Sequence, residues 1–219
     1  ASDVYKRQME LFAKRICNEK CCAILCSSEM AGSLALLACF AAGVTAVPLS
    51  SRYGQVQSSR IIEAIDPTAI ITDFDGELRI IRISDSTYKE PDEHPALIMC
   101  TSLTTGKPKG VMLSEKNIIT NVTDIAAYFN VGNDDTILIS RPLYHCAVLT
   151  GEFILSLIKG ASICFYSDKF NPKALWNIIN EKNITVFCGT PTMLEMMARY
   201  KNDNLICPLK KISISGERL

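Results

Sequence analysis

Cys100-Thr101-Ser102-Leu103-Thr104-Thr105-Gly106-Lys107-Pro108-Lys109-Gly110-Val111 is the stretch whose reading decides the fold. It follows an apolar run, Ala96 to Met99, that reads as a buried strand, and it ends where a second apolar run, Val111 to Leu113, begins. Between the two runs stand four hydroxyl side chains, two lysines and two glycines. Glycine permits positive φ and close backbone approach, proline stiffens the turn, and hydroxyls with ammonium groups bind phosphate oxygens. A loop of this composition between two strands can cradle the phosphates of a nucleotide. It is not a GxxxxGK[ST] loop, because Pro108 follows Gly106-Lys107 and no helix starts there.

Outward from this stretch, strands and helices alternate. Towards the N-terminus the pattern predicts a helix over Val4–Ile16, a strand over Cys21–Cys26, a helix over Glu29–Ala42 and a strand over Val44–Val47. A helix over Gln55–Ile65 follows, then a strand from Ala69 to Thr72. Asp75-Gly76 supplies the positive φ angles of a hairpin turn into Leu78–Ile83, and polar Ser84–His94 leads back to the central strand. On the other side, Ser114 with Asn117 opens a helix to about Phe129, and Thr136–Ser140 is a strand. Ala147–Ile158 reads as one helix closed by Gly160, and Asn171-Pro172 as the cap and first turn of a helix to Asn180. Strands over Ser162–Tyr166, Ile184–Phe187 and Ile212–Ile214 and a helix over Pro191–Tyr200 complete the pattern. The fold class is α/β, with layered, mostly parallel sheets flanked by helices.

Composition excludes several functions. The 219 residues carry 23 basic and 23 acidic side chains, so no basic field or polybasic run points to nucleic acid. The ten cysteines are scattered without a CxxC pair and histidines number two, which argues against zinc and against a disulfide framework. Cys21, Cys22 and Cys26 lie in an apolar run where free cysteine is a small hydrophobe, and reduced thiols suit a cytoplasmic protein. Met30–Ser51 has no charged side chain, but Ser28, Gly43 and Pro48 punctuate it into a helix and a strand and not a membrane span. The first residues show neither an initiator Met nor a signal-peptide pattern.

At Thr101 to Val111 the sequence resembles the adenylate-forming enzymes: acyl-CoA synthetases, adenylation domains of peptide synthetases, and luciferases. Every fixed position of their phosphate-loop signature is matched except Leu103, where a small residue is usual. Phe40–Leu49, Arg141–His145, Thr185–Leu194 and Ser215–Leu219 resemble further segments of that family in order and spacing, with Ser215 where glycine is usual. The resemblance implies that a carboxylic acid and ATP give an acyl adenylate and pyrophosphate, and that coenzyme A or a carrier pantetheine then takes the acyl group. It implies donors to the β- and γ-phosphates at Thr101, Ser102, Thr104, Thr105 and Lys109, with Gly106 and Gly110 letting the loop fold over them. It places Ser215, Gly216 and Glu217 along the adenine and His145 at the acyl and adenylate site, so Lys109, Thr104 and His145 are the catalytic candidates. The magnesium-binding acid, the ribose ligand and the lysine of a small C-terminal domain fall beyond Leu219, so residues 1–219 are expected to be part of a large N-terminal AMP-binding domain.

Other readings compete with these. Lys107 fits a solvated charge and His94 a surface histidine; Trp176, Met193, Met196 and Met197 have the spacing of core residues. A lone His145 would ordinarily be a packed, satisfied histidine, and only its segment argues for a site. The expected activity is an acid–thiol ligase of the acyl-CoA synthetase kind. An adenylation domain that loads a carrier protein is the alternative, and Leu103 motivates a third, a catalytically inactive nucleotide-binding or interaction domain.

Overall fold

The computed structural model describes residues 2–50, 53–100, 109–200 and 207–216. They form two compact units, Ala1–Ile119 and Thr120–Leu219.

The first unit comprises α1 (Ser2–Ile16), β1 (Cys21–Ile24), α2 (Glu29–Ala42), β2 (Thr45–Pro48), α3 (Gln55–Ile65), β3 (Ala69–Phe74), β4 (Glu77–Arg82), β5 (Leu97–Cys100) and β6 (Gly110–Leu113). Its sheet has the order β4-β3-β1-β2-β5-β6. The four central strands are parallel, whereas β4 and β6 pair antiparallel with β3 and β5. The antiparallel edges follow from hairpin connections: Asp75 and Gly76 both take positive φ, 51° and 78°, a turn that reverses the chain within two residues. Ser28 and Gly43 do what their residue types predict. The Ser28 hydroxyl accepts from Ala31 N at 3.2 Å, and Gly43 at φ 67° ends α2. The uncharged stretch is thereby split between α2 and β2, and among the described residues no helix is long and apolar enough to cross a membrane.

Cys21, Ala23, Val47, Leu49, Ile61 and Ile98 form an apolar core in this unit. All ten cysteines are free thiols. Cys21, Cys22 and Cys39 are fully buried, and burial pushes the Cys21 and Cys26 thiols up to about 12. His94 is exposed as expected, yet both ring nitrogens are engaged: Nε2 lies 3.0 Å from Gly43 O and Nδ1 meets Glu90.

α4 (Glu115–Phe129) is capped as its sequence predicts, with Ser114 Oγ accepting from Asn117 N at 3.2 Å and Asn117 Oδ1 accepting from Ser114 N at 3.0 Å. The second unit continues with β7 (Thr136–Ile139), α5 (Cys146–Val148), a π-helix (Leu149–Ile154), α6 (Leu155–Lys159), β8 (Ser162–Phe165), α7 (Pro172–Glu181), β9 (Val186–Gly189), α8 (Pro191–Arg199) and β10 (Lys211–Ile214). Its strands are all parallel, in the order β10-β9-β7-β8. Asn171 Oδ1 accepts from Lys173 N and Ala174 N, with Pro172 in the first turn of α7. Leu138, Leu175, Ile179, Ile184, Phe187 and Met197 fill the core. Trp176 packs on it and donates Nε1 to Met197 O at 2.8 Å; Met196, by contrast, is exposed.

One expectation needs correction. Ala147–Ile158 is not a regular helix, since its centre is the π turn. There Thr150 Oγ1 donates to Cys146 O at 3.0 Å and Ser156 Oγ to Glu152 O at 2.6 Å, so hydroxyls compete for helix carbonyls on both sides of Gly151. The turn carries Glu152 to Arg141.

Candidate functional site

In the first unit the candidate residues are gathered by a hairpin. β5 and β6 pair antiparallel with Cys100 opposite Gly110, so the residues that flank the Thr101–Pro108 segment stand side by side. Thr101, Ser102, Leu103, Thr104, Thr105 and Gly106 lie outside the described residues. Lys109 stands exposed at the mouth of the hairpin, immediately before β6. β6 is an edge strand, and its Val111 and Met112 are 47% and 56% exposed.

Gly110 is needed for a reason different from loop flexibility. It has no positive φ, but a Cβ there would lie 2.7 Å from Ile98 Cγ2 on the facing strand. Gly110→Ala is therefore expected to push β6 from β5 and cost about 1–3 kcal/mol, the usual range for overpacking, as read from the urea unfolding midpoint. Combining it with Ile98→Ala, which deletes the clashing methyl, should cost less than the sum of the two single changes. Strict additivity would show that the contact is not the cause.

In the second unit the candidates collect at the carboxyl ends of the parallel strands. β7 connects to β8 on one side, while β9 connects to β10 on the other, so neighbouring β7 and β9 form a topological switch point. In open α/β sheets ligands bind in the crevice outside such a point. Arg141 follows β7, Thr190 follows β9, and Ser215-Gly216 follows β10. Arg141 donates through Nη2 to Glu152 Oε1 at 2.7 Å and through Nη1 to Ser215 Oγ at 3.2 Å. Ser215 N donates to Gly189 O at 3.1 Å, which prolongs the β9–β10 ladder by one bond. Gly216 turns away at φ 99°, a conformation that requires glycine. Glu217 lies outside the described residues.

Glu152 is the group that sequence reasoning missed. Its side chain is 1% exposed, and burial pushes its carboxyl up to about 7 against the opposing pull of the Arg141 guanidinium. The signal was a lone acid inside the apolar run Ala147–Ile158. Arg141 stands at the start of the segment leading to His145. His145 is exposed, stacks at 4.3 Å on Tyr144, and supplies through its carbonyl the acceptor for Val148 N and Leu149 N. Its backbone thus starts α5.

The family model for AMP-binding enzymes matches residues 11–219. The chain belongs to the AMP-binding enzyme family. Its relatives include a feruloyl-CoA synthase of an Amycolatopsis species, 28% identical over 183 residues that span 75% of this chain and 37% of that protein. A hybrid PKS-NRPS synthetase of a Pyrenochaetopsis species is 28% identical over 193 residues, 78% of this chain and 5% of that protein. This AMP-binding chain therefore spans well under half the length of the curated relatives it matches. The fold is that of o-succinylbenzoate CoA synthetase from Bacillus subtilis, solved with its acyl-adenylate intermediate: TM-score 0.79 at 23% identity, covering 99% of this chain and 48% of that one.

Proposed function

We propose that this chain is the nucleotide-handling part of a cytoplasmic, magnesium- and ATP-dependent acid–thiol ligase of the acyl-CoA synthetase kind. The observation that carries the reading is the Thr101–Lys109 stretch, rich in hydroxyls and ammonium groups, whose flanking residues Cys100 and Gly110 pair across β5 and β6 in a chain of the AMP-binding family. In the first step a carboxylate oxygen of the acid attacks the α-phosphorus of ATP. The bond to the bridging oxygen breaks and pyrophosphate leaves. In the second step the thiol of coenzyme A attacks the acyl carbonyl and AMP leaves.

The barrier of the first step is set by charge building on phosphate oxygens, so donors fixed in advance at those oxygens are the main catalytic equipment. Thr101, Ser102, Thr104, Thr105 and Lys109 take that part in the proposal, Ser215, Gly216 and Glu217 line the adenine, and His145 borders the acyl group. Among the described residues no three His, Cys, Asp or Glu side chains converge to hold a metal. Bound magnesium would neutralise charge on the phosphates.

Similarity to the hybrid PKS-NRPS synthetase favours a second reading, in which the acceptor is the pantetheine of a carrier protein. Acid-dependent exchange of labelled pyrophosphate into ATP, measured over a panel of carboxylic acids on the protein that carries this chain, tests the first step. Release of AMP with coenzyme A against a carrier protein then separates the acceptors. Absence of exchange with every acid would leave an inactive nucleotide-binding domain as the better account.

A further inference from the structure

Arg141 joins three elements. It leaves the carboxyl end of β7, pairs with Glu152 on the π-helix, and reaches Ser215 beyond β10. The contact to Ser215 is unlike the one to Glu152, because Ser215 occupies a position where the family resemblance has glycine, which offers no side-chain acceptor. Both charged side chains are withdrawn from solvent, at 13% exposed for Arg141 and 1% for Glu152. Their remaining polar atoms, Arg141 Nε and Glu152 Oε2, are buried and without a hydrogen-bond partner among the described residues. Such a pair is costly to bury, and it is retained most readily where it fixes a particular arrangement. What it fixes here is the turn at Gly216, whose Cα side faces Arg141 closely enough that a Cβ would sit 3.9 Å from Nη1.

We propose that Arg141 is a positioning residue, anchored by Glu152, that holds the Ser215-Gly216 turn in the conformation that receives the adenine of the nucleotide. The claim about adenine rests on the ATP-dependent reading above; the claim that the turn is held does not. The arrangement is also poised to respond to pH. The Glu152 carboxyl is pushed up to about 7 by burial, so its charge changes near neutrality. Among the described residues, the groups that face it are Arg141 from the end of β7 and Cys188 from β9. The Cys188 thiol is itself pushed up by burial and by Glu152, and stays neutral throughout this range. Ionised Glu152 fixes the guanidinium; protonated Glu152 loosens it and, through it, the turn.

The test uses the protein that carries this chain. ATP affinity is measured by calorimetry, and amide hydrogen exchange is followed across residues 211–216. Ser215→Gly deletes the acceptor and leaves the buried pair intact. It should weaken ATP binding about tenfold, as expected for one hydrogen bond to a charged group, and speed amide exchange in that segment. Ser215→Thr keeps the hydroxyl and should restore both. Wild-type affinity should fall as pH drops from 8 to 6 by more than Glu152→Gln does, since the nucleotide's own titration is common to the two proteins. Unchanged exchange and unchanged affinity in Ser215→Gly would overturn the positioning role while wild-type ATP binding still supports the nucleotide reading. If the wild type binds no ATP, that reading fails, and the exchange rates alone decide whether Arg141 holds the turn.

Discussion

Lys109→Ala, introduced into the protein that carries this chain, is expected to slow acid-dependent ATP–pyrophosphate exchange by about 100- to 1,000-fold, the loss usual for one donor aimed at developing charge, or roughly 2–4 kcal/mol. Thr104→Ala should act in the same sense. The effect belongs in the chemical step more than in ATP affinity, because negative charge grows on the leaving pyrophosphate as the bond to the α-phosphorus breaks. Lys109 is exposed at the mouth of the β5–β6 hairpin, so its truncation should alter folding stability by no more than about 0.5 kcal/mol. Comparing exchange rate, ATP affinity and unfolding midpoint separates these quantities. Undiminished exchange in both variants would remove the stretch from the catalytic apparatus.

Asp135→Ala is expected to destabilise the second unit by about 1–3 kcal/mol, the cost typical of leaving partly buried donors without their charged acceptor. Asp135 sits just ahead of β7, at the end of the sheet opposite the candidate site. It accepts from Lys211 Nζ at 2.6 Å, Thr185 Oγ1 at 2.8 Å and Gly132 N at 3.0 Å, and so ties β7, the start of β10 and the approach to β9. Removing it leaves the Lys211 ammonium without its buried partner. Asp135→Ala combined with Lys211→Met should recover much of the loss, because both ends of the pair are then apolar. Burial pushes the Asp135 carboxyl up, but the bonds from Lys211, Thr185 and Gly132 outweigh it and hold the group below its ordinary 3.8. Its contribution is thus complete above that value and is lost as pH falls below it, so the acid limb of the stability curve should flatten in Asp135→Asn. Glu152 acts with the opposite sign. Its carboxyl is raised from 4.5 to about 7, so the folded state holds a proton that the unfolded state releases, and that stabilisation is lost as pH rises across this interval.

Residue types that act locally made most of the fold legible. Ser28, Gly43, Asn171 with Pro172, Ser114 with Asn117, and Asp75-Gly76 each fix a boundary through their own backbone or side-chain geometry, and the elements begin or turn where they stand. The antiparallel edge at β6 was less visible, because a run such as Val111–Leu113 has the same composition whichever way its neighbour points. The π turn was hidden for a related reason. Spacing at 3.6 residues over Ala147–Ile158 is nearly the same with one wider turn in the middle, and what sets that turn is a residue outside the run, Arg141, together with the hydroxyls of Thr150 and Ser156. The site divides likewise. The hydroxyl- and lysine-rich stretch announces phosphate chemistry by composition, whereas the Arg141, Glu152 and Ser215 contacts join positions 11 and 74 residues apart. No local pattern encodes such a meeting. Gly110 was singled out for its flexibility, yet its packing against Ile98 is set by strand register.

The burial of the cysteines gives each unit an internal clock. Cys21, Cys22, Cys26 and Cys39 are enclosed in the first unit and Cys188 in the second, while Cys17, Cys146 and Cys207 face solvent. Alkylating reagents must reach the sulfur and enclosure blocks their approach, so the enclosed sulfurs wait for the surrounding layer to part. Reagent uptake should therefore come in an immediate burst at the solvent-facing sites and a slow phase at the enclosed ones. Mass mapping of the slow phase would then time the opening of one unit independently of the other.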